Sequence, residues 1–141
     1  MTGTYWKPRP RVGDIVECRF PEEVGKPGPK PRPALVLQVE EATDDPEGSV
    51  VVVAYATTQK QTKVYAGEFL VEPGGGTGLT EATKFDLVNY HPLPFDAVWF
   101  EPAPGKSPAH PRRGRLNLED MTVKRKIQAA ITEAKGQRKP N

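Results

Sequence analysis

The sequence predicts a small, mainly β domain: a strongly bent barrel or folded-over sheet with one helix packed on it. Two observations carry this. Short runs that are apolar throughout, or alternate apolar with polar, recur between Ile15 and Glu101, and glycine or proline closes most of them. A helical period occurs late, where Val123, Ile127, Ala130, Ile131 and Ala134 fall on one face. With 141 residues the chain fits one domain with a real core, divided into a barrel over about 12–101, a basic loop over 102–116 and a helix over about 118–135.

Residues 1–11 are polar, basic and proline-bearing, a loose lead-in with Tyr5 and Trp6 as anchors. Ile15 to Phe20 reads as a half-buried strand, with Val16, Cys18 and Phe20 inward and Glu17 and Arg19 on a wet face. The glycine- and proline-rich loop from Glu22 to Arg32 is too long for a tight hairpin, and such loops often carry function. From Lys30 the chain reads KPRPALVLQV. Pro31 and Pro33 stiffen the lead-in, and the strand beyond is apolar on both faces, as suits a central, doubly covered strand.

After an acidic turn at Glu40 to Gly48 comes the strongest β signal, Val50 to Ala56, ending in Thr57, Thr58 and Gln59. Gly67 to Glu72 reads as a strand and Gly74-Gly75-Gly76 as a crossing without the spacing of a phosphate-binding loop. Lys84 to Val88 is a short strand with Phe85 and Leu87 inward and Lys84 and Asp86 outward, and Ala97 to Glu101 is read as the last strand. Asn117, with Asp120 three residues on, is the expected helix N-cap, and Gly136 the stop.

Composition excludes several classes. The single cysteine, Cys18, cannot form an internal disulfide, and no Cys/His cluster has zinc spacing. His91 and His110 are far apart, both next to proline, and read as loop residues. A net charge of +2 leaves any basic surface local, and no apolar run approaches membrane-spanning length. A soluble protein of a reducing cytoplasm, with no metal, cofactor or membrane, is expected.

Three polar groups remain, each at a strand end: Arg32, with Lys30 beside it; Thr57 with Thr58 and Gln59; and Lys84 with Asp86. A guanidinium, hydroxyls and an ammonium converging on one point can cradle a phosphate and stabilise the extra charge of a pentacoordinate intermediate. Each has an ordinary alternative: a solvated or carboxylate-paired arginine, turn hydroxyls satisfying nearby backbone, and a surface ion pair. Arg112, Arg113 and Arg115 read as solvent-facing, with contact to a polyanion as the alternative.

GDIVECRFP (13–21), KPRPALVLQV (30–39), VVVAYATTQ (51–59) and GLTEATKFDLV (78–88), in this order, resemble the PemK/MazF family of toxin–antitoxin endoribonucleases. The resemblance implies an SH3-like barrel (PemK/MazF/CcdB-like), a homodimer, and metal-independent cleavage of single-stranded mRNA leaving a cyclic phosphate. It also implies silencing by an antitoxin protein. Residue by residue, it implies that Arg32 is the central catalytic group and Thr57 its partner at the phosphate, with Thr58 beside it. The family's basic-x-Asp pattern falls on Lys84 and Asp86, where lysine stands in place of the usual arginine and lacks its bidentate fork. The proline-rich loop before Arg32 also departs from the Gly-His-Glu-like turn of many members. A non-catalytic SH3-like binding module and a CcdB-like poison of DNA gyrase are the alternatives.

Overall fold

A computed structural model describes residues 5–23, 25–59 and 63–137. In chain order the elements are β1 (Asp14–Cys18), β2 (Arg32–Ala42), β3 (Asp45–Thr57), β4 (Glu68–Val71), β5 (Thr83–Pro94), β6 (Arg112–Arg115) and α1 (Met121–Gln137). The strands form one six-stranded sheet in the order β4-β5-β3-β2-β1-β6, antiparallel at every pairing. The mainly β architecture with a C-terminal helix bears out the expectation, although no strand pairing joins β4 to β6 among the described residues. The turn after β4 reaches across instead: the Arg115 amide donates to the Gly76 carbonyl at 2.9 Å. Gly114 permits that approach, since a Cβ there would lie 2.4 Å from the Gly76 oxygen.

The apolar-throughout reading of β2 and β3 matches two separate cores. Leu35, Ala54 and Ala56 face one, with Phe69, Phe85 and Leu87; Ala34, Val36, Val51 and Val53 face the other, with Phe95 and Phe100. Each fully buried valine or phenylalanine contributes about 1.5–3 kcal/mol. Helix α1 covers the first core through Ala130 and Ala134, flanked by Ile127 and Ile131. The helix is laced to the sheet where Lys126 donates to the Leu70 carbonyl at 3.1 Å and Glu133 accepts the Gly67 amide at 3.2 Å. The N-terminal segment covers the second core: the Trp6 indole donates to the Phe100 carbonyl at 3.1 Å, and Tyr5 donates to Asp44 at 2.6 Å. That bond to Asp44 pushes the Tyr5 phenol up to about 12.

Several expectations need correction. Strand β1 has no wet face, because β6 lies beside it and supplies counter-charges: Arg115 bonds Asp14 at 2.8 Å and Arg113 bonds Glu17 at 2.7 Å. The stretch 102–116 is therefore not only a loop, and Arg113 and Arg115 are tied to buried carboxylates rather than solvent-facing. Ala97–Glu101 forms no strand; Asp96 accepts the Val98 and Trp99 amides at 3.0 and 3.3 Å and winds the segment into a turn. Asp120 caps α1, accepting the Thr122 amide at 2.8 Å, while Asn117 closes the preceding turn on Glu119. The helix runs through Gly136. His91 lies in β5, which extends to Pro94; its prolines are tolerated because β4 pairs only with residues 83–86, leaving the later part an edge. Burial pushes the Cys18 thiol up, so it behaves as a packed apolar group.

Candidate active site

Strand β2 begins at Arg32 because Pro31 and Pro33 set an extended lead-in and Cys18 of β1 pairs across from Arg32. The loop before it is pinned rather than floppy at its base. The Gly28 amide donates to the Arg19 carbonyl at 3.0 Å, and a Cβ at Gly28 would meet the Phe20 carbonyl oxygen at 2.4 Å. Arg19 grips the same loop through the Gly28 and Pro29 carbonyls, and its guanidinium is paired with Glu101.

The β2–β3 register brings Arg32 and Thr57 to one end of the sheet. The ladder pairs Val36 with Val53 and Leu35 with Ala54. Arg32 and Thr57 each lie three residues beyond the last of these pairs, toward the same end of the two strands. Alternation puts both on the side of the second core, since Ala34 and Val36 face it and so do Val53 and the flanking Tyr55. The β2–β3 pairing ends at Leu35↔Ala54, and Pro33 beyond it brings no N–H. Arg32 is exposed, and among the described residues its guanidinium has no hydrogen bond or ion pair. Thr57 is half-buried; its hydroxyl oxygen accepts the Gln59 amide at 3.1 Å, which leaves the hydroxyl proton available. Lys30 and Gln59 are exposed, and Thr58 is half-buried.

The same row continues onto β5, where Lys84 pairs with Thr57 and Asp86 with Tyr55. Lys84 does not point into solvent, nor is its salt bridge to Asp86. It is 2% exposed; its ammonium lies 3.4 Å from Glu68 and donates to the Lys63 carbonyl at 2.6 Å, over the Tyr65 ring. Glu68 and Tyr65 escaped the sequence reading because their role depends on β4 lying beside β5, which no local pattern announces.

Asp86 is half-buried, and its Oδ1 accepts the Val88 amide at 2.9 Å. Burial, then the charge of Glu68, push its carboxyl up against the pull of the Val88 and Asn89 amides and Lys84. In the window that opens at the ordinary value of 3.8, folded Asp86 keeps a proton that the unfolded chain has released. Stability therefore falls as pH rises through that window. Asp86→Asn is expected to remove this slope, so the melting temperature of the unaltered protein declines relative to the variant as pH rises. Parallel curves would contradict the assignment.

A second feature missed from sequence adjoins the row. Phe20 packs against Tyr55 at 5.3 Å and His91 at 5.2 Å between ring centroids, setting an aromatic floor beside Thr57. The alternation of β3 gave a signal for Tyr55; the placement of His91 depends on the β3–β5 register.

The model of the family described as "PemK-like, MazF-like toxin of type II toxin-antitoxin system" matches residues 11–89. That is more than half of the chain, and the chain belongs to this family, whose members are generally endoribonucleases acting on RNA and countered by an antitoxin. No curated protein matches it. The match covers β1 to the middle of β5 and includes Arg32, Thr57, Lys84 and Asp86; β6 and α1 lie beyond it.

Proposed function

We propose that the chain is a metal-independent endoribonuclease toxin that cleaves single-stranded mRNA as a homodimer in the cytoplasm and is silenced by a cognate antitoxin. What supports this reading is the Arg32 guanidinium, without a hydrogen bond or ion pair among the described residues, at the strand end toward which the Thr57 hydroxyl also lies. The attacking group is the ribose 2′-hydroxyl. Its oxygen bonds to phosphorus as its proton leaves to an acceptor, the P–O5′ bond breaks, and O5′ takes up a proton. The products are a 2′,3′-cyclic phosphate and a 5′-hydroxyl, so the protein need supply no nucleophile of its own.

Arg32 faces the charge that grows on the non-bridging oxygens and can deliver a proton to the leaving oxygen; a guanidinium suits two such oxygens through its fork. Thr57 donates its hydroxyl to the same phosphate, with its oxygen held in place by the Gln59 amide. Asp86, with its carboxyl pushed up by burial, is assigned to proton exchange, and Lys84 to holding the neighbouring strand. Thr58, Gln59 and Lys30 flank the path of the strand.

The test is product chemistry. Purified protein incubated with RNA in excess chelator is expected to give fragments with 5′-hydroxyl ends and cyclic phosphates. Ends carrying 5′-phosphate, or cleavage abolished by chelator, would overturn the mechanism; gyrase-linked DNA breaks without RNA cleavage would favour the CcdB-like alternative.

A further inference from the structure

At the other end of β1 the surface holds a second, strongly basic hollow of about 520 Å³. Its walls are residues 7–11 and 106–112, and His110 staples them together. The Arg112 amide donates to His110 Nδ1 at 3.1 Å, so Nε2 carries the proton and donates to the Pro8 carbonyl at 2.9 Å. The segment is held further where the Trp6 amide donates to the Phe95 carbonyl at 2.8 Å. The hollow is therefore built by fixed backbone.

Its charge is largely unspent. Arg11 and Lys106 have no side-chain hydrogen bond or ion pair among the described residues. Arg9 leans on the carbonyls of Pro46 and Gly48, which are neutral and leave its charge uncompensated. Lys7 is neutralised at the rim, by Glu47 at 3.2 Å and Asp45 at 3.7 Å. The carboxylate on the floor, Asp14, is 2% exposed and already consumed: Arg115 lies at 2.8 Å, Arg112 at 3.3 Å, and the Arg11 amide donates to it at 2.8 Å. A rigid concavity of several cations with no free carboxylate recognises phosphate oxygens.

We propose that this hollow is a second RNA-backbone site, gripping phosphates of the strand that lie outside the Arg32–Thr57 row. The inference rests on the nuclease reading for its choice of polyanion. Asp14 alternates in phase with Val16 and Cys18, so the hollow opens on the side of the sheet that Arg32 shares. Cys18↔Arg32 and Asp14↔Arg115 set the two places four residues apart along β1, about 13 Å. Most of the walls, residues 7–10 and 106–112, fall outside the family match at 11–89, so this is a feature of the chain's own flanking segments.

The test uses the full chain and a 2′-O-methylated single-stranded RNA, which cannot be cut. Binding is followed by anisotropy across a salt series for the unaltered protein, Arg11→Ala/Lys106→Ala and Arg32→Ala. Each phosphate neutralised contributes about 0.7 to the slope of log affinity on log salt for single strands, so the double variant is expected to lose about 1.4. On cleavable RNA its KM rises about tenfold with kcat unchanged, since neither side chain touches the Arg32 row. An unchanged slope and KM while Arg32→Ala still abolishes cleavage would overturn the second site and leave the nuclease reading standing. A reduced slope in a protein that cuts no RNA would do the reverse. Competition by inorganic phosphate with an unchanged RNA slope would assign the hollow to a small anion and overturn the backbone site.

Discussion

Arg32→Ala is expected to slow RNA cleavage by about 10²–10³-fold, about 2.7–4 kcal/mol of transition-state stabilisation, with the melting temperature unchanged. The two halves of that expectation come from separate facts. The size follows from the position of a free guanidinium at the sheet end it shares with Thr57, in a chain whose other β-sheet arginines are committed. Arg113 is held by Glu17, and Arg112 and Arg115 by Asp14. The unchanged stability follows from exposure: the Arg32 side chain packs in neither core and makes no hydrogen bond or ion pair among the described residues. Arg32→Lys keeps the charge but loses the fork, and is expected to recover only part of the rate. Single-turnover cleavage of one RNA, with thermal melts of each variant, checks both halves. A cleavage rate equal to that of the unaltered protein would remove Arg32 from the mechanism.

Lys84→Met is expected to show the opposite signature, a loss of about 3–5 kcal/mol in stability. Burying an ammonium is costly, and here Glu68 at 3.4 Å and the Lys63 carbonyl at 2.6 Å offset that cost. Removing the ammonium alone leaves a carboxylate, itself 13% exposed, without its counter-charge. Methionine retains the apolar stem, so the effect reports the broken pair rather than a cavity. Lys84→Met/Glu68→Gln is expected to recover part of the loss, because the orphaned charge goes with its partner. Urea unfolding at constant m-value measures it; a shift worth less than about 0.5 kcal/mol would show that the pair is solvated after all.

What could be read from the sequence, and what could not, follows the range of the interactions involved. Strands β2 and β3 were legible because residues Ala34 to Leu37 and Val50 to Ala56 are apolar in both phases, which a doubly covered strand requires. Helix α1 was legible from its period, but its cap was not: Asn117 and Asp120 are both competent, and only the backbone path decides between them. Ala97–Glu101 imitates a strand in composition, yet one carboxylate, Asp96, captures the following amides first. The charged residues failed for a different reason. Glu17 looked wet because its partner Arg113 lies 96 residues away on a strand that its own sequence, Arg-Arg-Gly-Arg, does not advertise. Lys84 looked wet because Glu68 sits on a neighbouring strand whose position the pattern does not give. Arg32 and Thr57 were singled out through their motifs, whereas the sheet end toward which both lie depends on the β2–β3 register.

The account stands on Arg32 and Thr57 acting on one phosphate, and a double-mutant cycle tests that most directly. Single-turnover rates are measured for the unaltered protein, Arg32→Ala, Thr57→Val and the double variant on the same RNA. Groups that serve one transition state are strongly non-additive, so the double variant is expected within about twofold of Arg32→Ala alone. Losses that multiply, each residue costing its full factor in the absence of the other, would contradict a shared site.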